Sequence, residues 1–517
     1  MRRDDSRVSP RRLLIALAIG ILCWWLGILL PFGPGADPAR ARLVLGVTGL
    51  TTACWLGAAM PLGAASLLPL ALLPLFGVQP MKDVARGFAH PILWLFGGGF
   101  VLAQAIEKWG LHRRMSLSVL RWVGPNPRRL VSGFFLAAAM ISLWINNTSV
   151  SLMLLPIGWA LVDRAETGGL LRGRDASNFG ACIMLGIAYG ASLGGMGTPI
   201  GTAPNALYFG NYQSLVDAGA PAMSFLQWLL AFLPFVALLT ILFAWLLTSV
   251  ILPVPKGMLG GAGELLAEAR SLGRVSAAER RVAMLFSAAV LLWVTRADVR
   301  FGDFEVHGWA YWLLPGEAGS DFIPDGVVAV AAAIAAFLIP SGDGRALMDW
   351  PTVQKMPFDI LFLLGAGMAL AGAFDPSGLS AAFGNLLAPM IGRSHPLLVI
   401  AVLCVIMLLL SELASNTAVA ALFLPILKQG AVHAGMDPRV LMLPATLAAS
   451  CGFMLPIATP PNTVVFASGR VSVGQMARAG LALDALSIAL LIAAMWFWVL
   501  PLLGVDPATR PDWLPPK

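Results

Sequence analysis

The sequence predicts an all-α polytopic membrane protein with about 11 transmembrane helices, two re-entrant hairpins and an inverted-topology repeat. Three observations lead to this prediction: the apolar composition, polar motifs that occur twice at constant spacing, and the distribution of basic residues among the loops. The chain has 517 residues, of which 58% are hydrophobic and only 12% are charged. A soluble protein of this length needs more charge to cover its surface.

The apolar stretches set the predicted spans, because a helix needs about 20 apolar residues to cross the hydrocarbon core. Two stretches, 131–162 and 396–428, are interrupted near the middle by polar residues and are predicted to be hairpins that enter and leave on the same side. We expect the first span to remain as a helix, because its apolar run is long for a signal peptide. The predicted full crossings are 13–31, 43–60, 62–79, 90–108, 179–210, 225–252, 282–295, 325–340, 358–374, 439–469 and 479–504.

The loop charges predict the orientation of the chain. Loops 109–130 and 163–178 are both basic although a long apolar stretch separates them, as expected for a hairpin that opens to the cytoplasm. The charged residues of the loop 296–324 are mostly acidic, and this loop is predicted to lie outside. By the same count the hairpin 396–428 opens to the outside, so the two halves have opposite topology. The protein is predicted to lie in the plasma (inner) membrane with its N-terminus in the cytoplasm and its C-terminus outside.

The remaining composition limits the classes of partner. The formal net charge is +7, but orientation in the bilayer explains the basic loops better than a nucleic acid does, and no nucleic-acid partner is predicted. The five cysteines lie in apolar stretches without a CxxC pattern, so neither disulfides nor zinc are expected. No set of His and carboxylate ligands or of nucleophile and base occurs in the spans, so the chain is predicted not to be an enzyme.

Two polar motifs occur twice. The first, here called the tip motif, reads SLWINNT at 142–148 and SELASNT at 411–417. The two copies are separated by a constant 269 residues, since 411−142 and 417−148 both equal 269. The second motif has the pattern Gly-x3-Pro-Ile-x-Thr-x-Pro-Asn and occurs at 195–205 and 452–462, here called the broken segments. These copies are separated by 257 residues, since 452−195 and 462−205 both equal 257. Polar, helix-breaking segments at corresponding places in two apolar halves indicate the binding site of a transporter.

The repeats define the predicted organisation. The first helix belongs to an N-terminal region, a cytoplasmic linker joins the repeats, and each repeat contains one hairpin and one broken helix. The bounds are 1–42 for the N-terminal region, 43–252 for repeat 1 (hairpin 131–162, broken helix 179–210), 253–281 for the linker, 282–504 for repeat 2 (hairpin 396–428, broken helix 439–469) and 505–517 for the C-terminal tail.

The tip motifs have two interpretations. The Asn-Thr pairs at 147–148 and 416–417 could simply cap turns, since Asn and Thr satisfy backbone groups at helix starts. Alternatively, each pair begins a helix whose N–H groups and positive dipole end attract a divalent anion, with hydroxyl and amide groups as further donors. The second interpretation fits a site that contains no Arg or Lys in either motif.

Proline in the broken segments removes helical hydrogen bonds and leaves carbonyl groups free. A single such break is adequately explained as a kink. Two breaks at matched positions, each next to a threonine, indicate cation sites built from backbone oxygens, and Na⁺ suits such sites. Glu412 is the only carboxylate in the tip motifs, with Leu143 at the matching place in repeat 1. We expect Glu412 to hold backbone or scaffold groups rather than to carry protons.

At this point the motifs resemble those of the divalent anion/sodium symporters, the DASS or INDY-type carriers of dicarboxylates, citrate and sulfate. The second tip motif matches the family's Ser-Asn-Thr signature at 415–417, followed by Ala458-Thr459-Pro460-Pro461-Asn462. The first departs from it, because Asn146 replaces the serine and Ala203 stands where the second repeat has Pro460. The resemblance covers about 43–504.

The resemblance implies a homodimer in which a transport domain moves relative to a fixed scaffold in an elevator-like motion. It implies sodium ions as the coupling ions and no other cofactor. The substrate contacts that it implies are Asn146, Asn147, Thr148, Ser415, Asn416, Thr417, Thr459 and Pro460. The sodium contacts that it implies are Ser142, Asn146, Asn147 and Gly201 at one site and Ser411, Ala414, Asn416 and Ala458 at the other.

Three functions remain open at the level of the sequence. The first is sodium-coupled import of a di- or tricarboxylate such as succinate. The second is a sodium-independent dicarboxylate exchanger of the same fold. The third is a sodium/proton antiporter or a metalloid-efflux carrier, which the shortage of acids in the spans, with Glu412 as the main candidate, disfavours.

Overall fold

The computed structural model describes residues 10–32, 37–124, 126–256, 273–301, 304–314 and 322–514. Four predicted regions lie partly outside these residues: the N-terminal region, the linker 253–281, the acidic loop 296–324 and the C-terminal tail.

The described chain is built almost entirely from helices. By length and composition, eight of its helical segments could cross a membrane. The helices, in chain order, are α1 Pro10–Leu26, α2 Pro38–Gly57, α3 Leu62–Ser66, α4 Leu68–Leu75, α5 Met81–Phe88, α6 Pro91–Lys108, α7 Leu111–Val123, α8 Pro127–Ser142, α9 Asn147–Thr167, α10 Gly173–Met196, α11 Ala203–Val216, α12 Phe225–Leu246, α13 Ala277–Val294, α14 Trp309–Leu313, α15 Asp325–Leu338, α16 Trp350–Val353, α17 Phe358–Ser377, α18 Leu379–Arg393, α19 Pro396–Leu413, α20 Asn416–Ala434, α21 Arg439–Ala448, α22 Pro460–Phe466, α23 Val473–Ala494 and α24 Leu500–Leu502.

The predicted all-α, polytopic fold class is confirmed. The count of about 11 crossings stays a prediction, and two details differ. Two short antiparallel strands, β1 Val299–Phe301 and β2 Phe304–Val306, pair in the loop predicted to lie outside, with Val299 opposite Val306. Both strands are rich in valine and phenylalanine, which favour strands. The stretch 62–79 was predicted to be a single crossing helix, and this was wrong, because the stretch contains two helices, α3 and α4. Pro69, at the start of α4, lacks the amide hydrogen that a continuous helix needs there.

The last helices of the two halves match closely. Both α12 and α23 begin with a capping box, formed by Ser224 with Gln227 and by Ser472 with Gln475. Both continue into a π-helical turn, at Leu247–Ile251 and Met495–Val499. The differences 472−224, 475−227 and 495−247 all equal 248. These details extend the repeat beyond the motifs found in the sequence.

Each hairpin packs against the broken helix of the other half. Helix α9 of the first hairpin contacts α22, and α20 of the second hairpin contacts α11. The Arg470 guanidinium lies 5.5 Å from the ring centroid of Trp159 and pairs with Glu166. On the other side, Lys428 Nζ donates a hydrogen bond of 3.0 Å to Ser214 Oγ. The two repeats therefore interlock around the broken segments.

Candidate functional site

The two hairpin tips have the same internal geometry. Helix α9 begins at Asn147 and α20 begins at Asn416. The Oγ–Oδ1 distance from Ser142 to Asn147 is 2.6 Å, and the corresponding distance from Ser411 to Asn416 is also 2.6 Å. These serines end or nearly end the preceding helices, so each tip brings a hydroxyl next to an amide oxygen at a helix N-terminus. The tip motifs thus form a duplicated structure as well as a duplicated sequence.

The second tip contains more acceptor oxygens than protons. Ser411 Oγ lies 2.6 Å from Asn416 Oδ1 and 2.5 Å from the carbonyl oxygen of Ala449. One hydroxyl has a single proton, so it can donate to only one of these two oxygens. Ser411 is completely buried. A cluster of neutral oxygens with unused lone pairs suits a bound cation.

A buried asparagine holds each broken segment in shape. Asn205 Nδ2 donates to the carbonyl oxygens of Gly195 at 3.1 Å and of Thr198 at 2.8 Å. Asn462 Nδ2 donates in the same way to Gly452 at 3.2 Å and to Leu455 at 3.1 Å. The differences 452−195, 455−198 and 462−205 are all 257.

These two amides replace helical hydrogen bonds that the prolines remove. Asn205 and Asn462 are fully buried, and the Oδ1 atom of each has no hydrogen-bond partner in the described chain. Sequence reasoning included both asparagines in the repeat but assigned neither a role. Their shared offset was the signal that pointed to one.

Glycine lets the first broken segment approach the first tip. A Cβ atom at Gly195 would lie 2.7 Å from Asn147 Oδ1 and 3.1 Å from the Gly201 carbonyl oxygen. At the matching Gly452, the nearest atoms are the carbonyl oxygen of Ser411 at 3.2 Å and Ala458 Cβ at 3.4 Å. Each tip motif is therefore in contact with the broken segment of its own repeat.

The structure brings together most of the residues predicted to hold sodium. At the first tip, Asn147 and Gly201 lie next to Gly195, and Ser142 contacts Asn147. Ser411, Asn416 and Ala458 form the equivalent group near Gly452. Both groups offer hydroxyl, amide and carbonyl oxygens without a carboxylate, which is the type of donor set that discontinuous membrane helices present to Na⁺. Ala414, the remaining residue predicted for the second site, follows the end of α19.

The predicted substrate contacts lie at the ends of these elements. Thr148 and Thr417 are in the first turns of α9 and α20. Thr459 is the N-cap of α22, and its Oγ1 accepts a hydrogen bond of 3.3 Å from the Asn462 N–H. Pro460 opens α22 and is exposed, as is Ser415. Three helix N-termini, of α9, α20 and α22, thus carry the predicted contacts.

Asn146 acts differently from its counterpart Ser415. Asn146 Oδ1 accepts a hydrogen bond of 2.9 Å from the Thr148 N–H, whereas the Ser415 side chain makes no capping hydrogen bond. The two tips therefore present different groups at the same position. With its oxygen engaged, the Asn146 amide still has the hydrogens of Nδ2 to donate.

The prediction that Glu412 holds backbone groups is confirmed by its hydrogen bonds. Its carboxylate accepts from the backbone N–H groups of Met454 at 2.8 Å and Leu455 at 3.0 Å. A second buried acid, Asp484 on α23, was missed, because the stretch around it is otherwise apolar. The argument that Glu412 is the main acid of the spans is corrected by this residue.

Comparison with known proteins identifies the family. The family model described as the sodium:sulfate symporter transmembrane region matches residues 9–504. The chain belongs to the sodium:sulfate symporter family. The predicted resemblance to the divalent anion/sodium symporters is thereby confirmed. The protein is a membrane transporter and not an enzyme.

Two relatives of this symporter are named as sodium-dependent dicarboxylate transporters. The chain is 34% identical over 505 residues to the sodium-dependent dicarboxylate transporter SdcS of Staphylococcus saprophyticus, covering 96% of this chain and 93% of the relative. It is 33% identical over 500 residues to the SdcS protein of Staphylococcus aureus strain USA300, covering 95% and 92%.

Two solved structures share the fold of this symporter. MtrF of Neisseria gonorrhoeae, described as belonging to a class of antimetabolite efflux pumps, has a TM-score of 0.59, with 97% of this chain and 98% of that chain covered. The YdaH transporter of Alcanivorax borkumensis, described as having an unusual topology, has a TM-score of 0.55, with 97% and 100% covered. Both are 13% identical in sequence, so the likeness concerns the fold alone.

Proposed function

We propose that this symporter imports a di- or tricarboxylate anion of the succinate type together with sodium ions. The observation that carries the proposal is the pair of Ser–Asn oxygen contacts, Ser142 with Asn147 and Ser411 with Asn416, each at the N-terminus of a helix. A helix N-terminus attracts a carboxylate, and the clustered neutral oxygens suit Na⁺. The names of both SdcS relatives, as sodium-dependent dicarboxylate transporters, support the same pairing of substrate and ion.

The proposed anion site lies between the two tip motifs and the start of α22. Asn146, Asn147 and Thr148 contact one end of the anion, and Ser415, Asn416 and Thr417 contact the other. Thr459 and Pro460 complete the site from the second broken helix. The N–H groups and dipoles of three helices stabilise the negative charge, so that the site needs no Arg or Lys.

The proposed sodium sites flank the anion site. The first consists of Ser142, Asn146, Asn147 and Gly201, and the second of Ser411, Ala414, Asn416 and Ala458. The excess of acceptor oxygens around Ser411 supports the second site. The close approach of Gly195 and Gly201 to Asn147 supports the first. A bound cation reduces the repulsion between these oxygens and prepares the adjoining tip for an anion.

We further propose that the symporter works as a homodimer in the plasma (inner) membrane. The N-terminus lies in the cytoplasm and the C-terminus lies outside, as the loop charges indicate. The hairpins and broken helices move as one body in an elevator motion. Their interlocking contacts, Arg470 with Trp159 and Lys428 with Ser214, support movement of these elements as a unit.

Transport in proteoliposomes tests the proposed function. Succinate uptake is expected to require an inward Na⁺ gradient. If more than two Na⁺ accompany each dianion, uptake also responds to voltage, since each net charge gains about 2.3 kcal/mol per 100 mV. Uptake that ignores both the Na⁺ gradient and the voltage, but needs an internal dicarboxylate, would instead identify an exchanger.

The substitution Asn146→Ser is expected to change substrate preference rather than abolish transport. It replaces the amide donor by the shorter hydroxyl that the second tip has at Ser415, and it leaves more room for a tricarboxylate. A hydrogen bond to a charged group contributes about 1.5–3 kcal/mol, so the ratio of citrate to succinate uptake should rise by about tenfold. The measurement is paired initial rates at saturating Na⁺.

Asn126→Ser is the matched control for this prediction. Asn126 caps α8 through Oδ1, which accepts from the Arg128 N–H at 3.0 Å, much as Asn146 caps α9. It lies at the opposite end of the first hairpin. The control should leave the uptake ratio unchanged. Equal ratios for wild type and Asn146→Ser would remove Asn146 from the proposed anion site.

A further inference from the structure

A cavity lies at the far end of the first hairpin, where α9 and α10 meet the loop between α22 and α23. Its volume is about 430 Å³, within the range of small-molecule sites. Repeat 1 lines it with α9, α10 and the turn between them, and repeat 2 lines it with Gly469 and Arg470. Glu166, at its edge, lies 19 residues beyond Asn147 on the same helix (166−147), which is about 28 Å along the helix axis. The cavity is therefore separate from the proposed anion and sodium sites.

Most of the cavity wall belongs to a segment that repeat 2 lacks. The spacing between the repeats falls from 269 at the tip motifs to 257 at the broken segments, so repeat 1 has 12 additional residues (269−257) between these motifs. Helix α21 begins at Arg439, which corresponds to Cys182 because 439−257 equals 182, whereas α10 already begins at Gly173. The lining residues within 171–180 lie in this extra length. The second half folds without such a segment, so the repeated architecture does not explain it.

Two arginines, one from each repeat, line the cavity. Arg470 is paired with Glu166, and its Nη2 lies 3.6 Å from Asp163 Oδ1. Arg172 forms no hydrogen bond or ion pair with another described residue. Its guanidinium lies over Gly169, where an added Cβ would be 3.3 Å from Nη2. The Arg172 donors are therefore available to a ligand, and Arg172 and Arg470 outweigh the charge of Glu166.

A hydroxyl and two glycines complete the wall. Ser177 Oγ accepts a hydrogen bond of 3.4 Å from Gln475 Nε2, which leaves the hydroxyl hydrogen free to donate. Gly173 and Gly469 have φ angles of 55° and 71°, and an added Cβ at either would meet nothing within 4 Å. A guanidinium and a hydroxyl around open space are donors that suit a carboxylate or phosphate group.

We propose that this cavity binds the oxyanion group, carboxylate or phosphate, of a small cytoplasmic solute. Arg172 donates two parallel hydrogen bonds to that group, as a planar guanidinium can, and Ser177 donates a third. Arg470 remains paired with Glu166 and attracts the anion from the opposite wall. The bound anion reinforces the contact between α10 of repeat 1 and the loop of repeat 2. Two sources can provide the group, an imported carboxylate and inorganic phosphate.

Anion binding by the purified protein in the absence of Na⁺ tests this site. In detergent both faces of the protein are accessible, so the assay does not depend on orientation in the membrane. With K⁺ as the only cation, the proposed sodium sites do not prepare the tips for an anion. Titration calorimetry with citrate and with inorganic phosphate should show saturable binding of at least one probe, and the tighter one identifies the source. Absence of saturable binding for both probes overturns the proposal.

Arg172→Gln should weaken the binding of that probe by about tenfold or more, because it removes the guanidinium donors. Arg174→Gln is the matched control. Arg174 has the same charge, is exposed two residues further along the chain and does not line the cavity. It should leave the affinity within about twofold of wild type. Equal losses in the two variants would show a response to surface charge alone and would overturn the site.

The double variant Asn147→Ala/Asn416→Ala separates this site from the transport site. It should bind the probe as wild type does, although its uptake is expected to be impaired. Binding that is lost in the double variant and kept in Arg172→Gln places the anion at the hairpin tips and overturns the proposal. If the double variant does not fold, the comparison of Arg172→Gln with Arg174→Gln decides. None of these measurements requires transport, so their failure differs from a failure of the proposed function.

Discussion

Replacing Asn147 or Asn416 by alanine is expected to reduce Na⁺-driven succinate uptake by about tenfold to hundredfold. Each asparagine supplies the oxygen that lies 2.6 Å from a serine hydroxyl, and each begins a helix at a hairpin tip. Alanine removes a ligand proposed for both the anion and a sodium ion, and a hydrogen bond to a charged group contributes about 1.5–3 kcal/mol. The measurement is the initial uptake rate over a series of Na⁺ concentrations.

Asn178→Ala provides the comparison for these variants. Asn178 is also a buried amide, and its Nδ2 donates to the Pro253 carbonyl oxygen at 3.0 Å, away from both tips. This variant should transport at a rate close to wild type. All three variants are first compared by size-exclusion profile and melting temperature, so that misfolding is recognised. Near-normal uptake by both tip variants would reject the site assignment.

The second large effect is expected from Gly195→Ala. The new Cβ would lie 2.7 Å from Asn147 Oδ1, closer than carbon and oxygen atoms can approach without a shift. Because the Gly201 carbonyl oxygen is only 3.1 Å away on the same side, the Asn147 amide has to move. That displacement breaks the contact with Ser142 and the first proposed sodium site. We expect the half-saturating Na⁺ concentration for uptake to rise at least about tenfold.

The internal repeat supplies the matched variant, Gly452→Ala. At that position the nearest atom is the Ser411 carbonyl oxygen at 3.2 Å, followed by Ala458 Cβ at 3.4 Å. A shift of a few tenths of an ångström accommodates the methyl group, so the change in half-saturating Na⁺ should stay within about threefold. If Gly452→Ala is as harmful as Gly195→Ala, close approach at the first tip is not the cause.

Much of the architecture could be predicted because it rests on local patterns. Composition predicts the membrane location, and the prolines predict the breaks between α10 and α11 and between α21 and α22. The prediction failed where a single residue decided the outcome. Pro69 divides the stretch 62–79 into two helices, and the pairing of β1 with β2 depends on a loop that composition alone marks only as polar.

Two features of the site depended on contacts between distant residues. The amides of Asn205 and Asn462 could be recognised as repeated, but their bonds to the carbonyl groups of Gly195 and Gly452 required the folded backbone. The burial of Asp484 could not be predicted, since a single acid in an apolar helix does not show which face of the helix is covered. Only the packing of α23 against α19 shows that Asp484 is buried.

The sequence by itself determined the fold class, the two tips and the two broken segments, because constant offsets and helix-breaking residues can be recognised from the order of residues alone. Only the tertiary structure decided how unequal the two halves are. Asn146 caps its helix while Ser415 does not, and Glu412, where repeat 1 has Leu143, accepts two backbone hydrogen bonds. The physical reason is that a repeat in sequence specifies similar backbones, whereas hydrogen bonds and buried charges depend on which side chains meet in space.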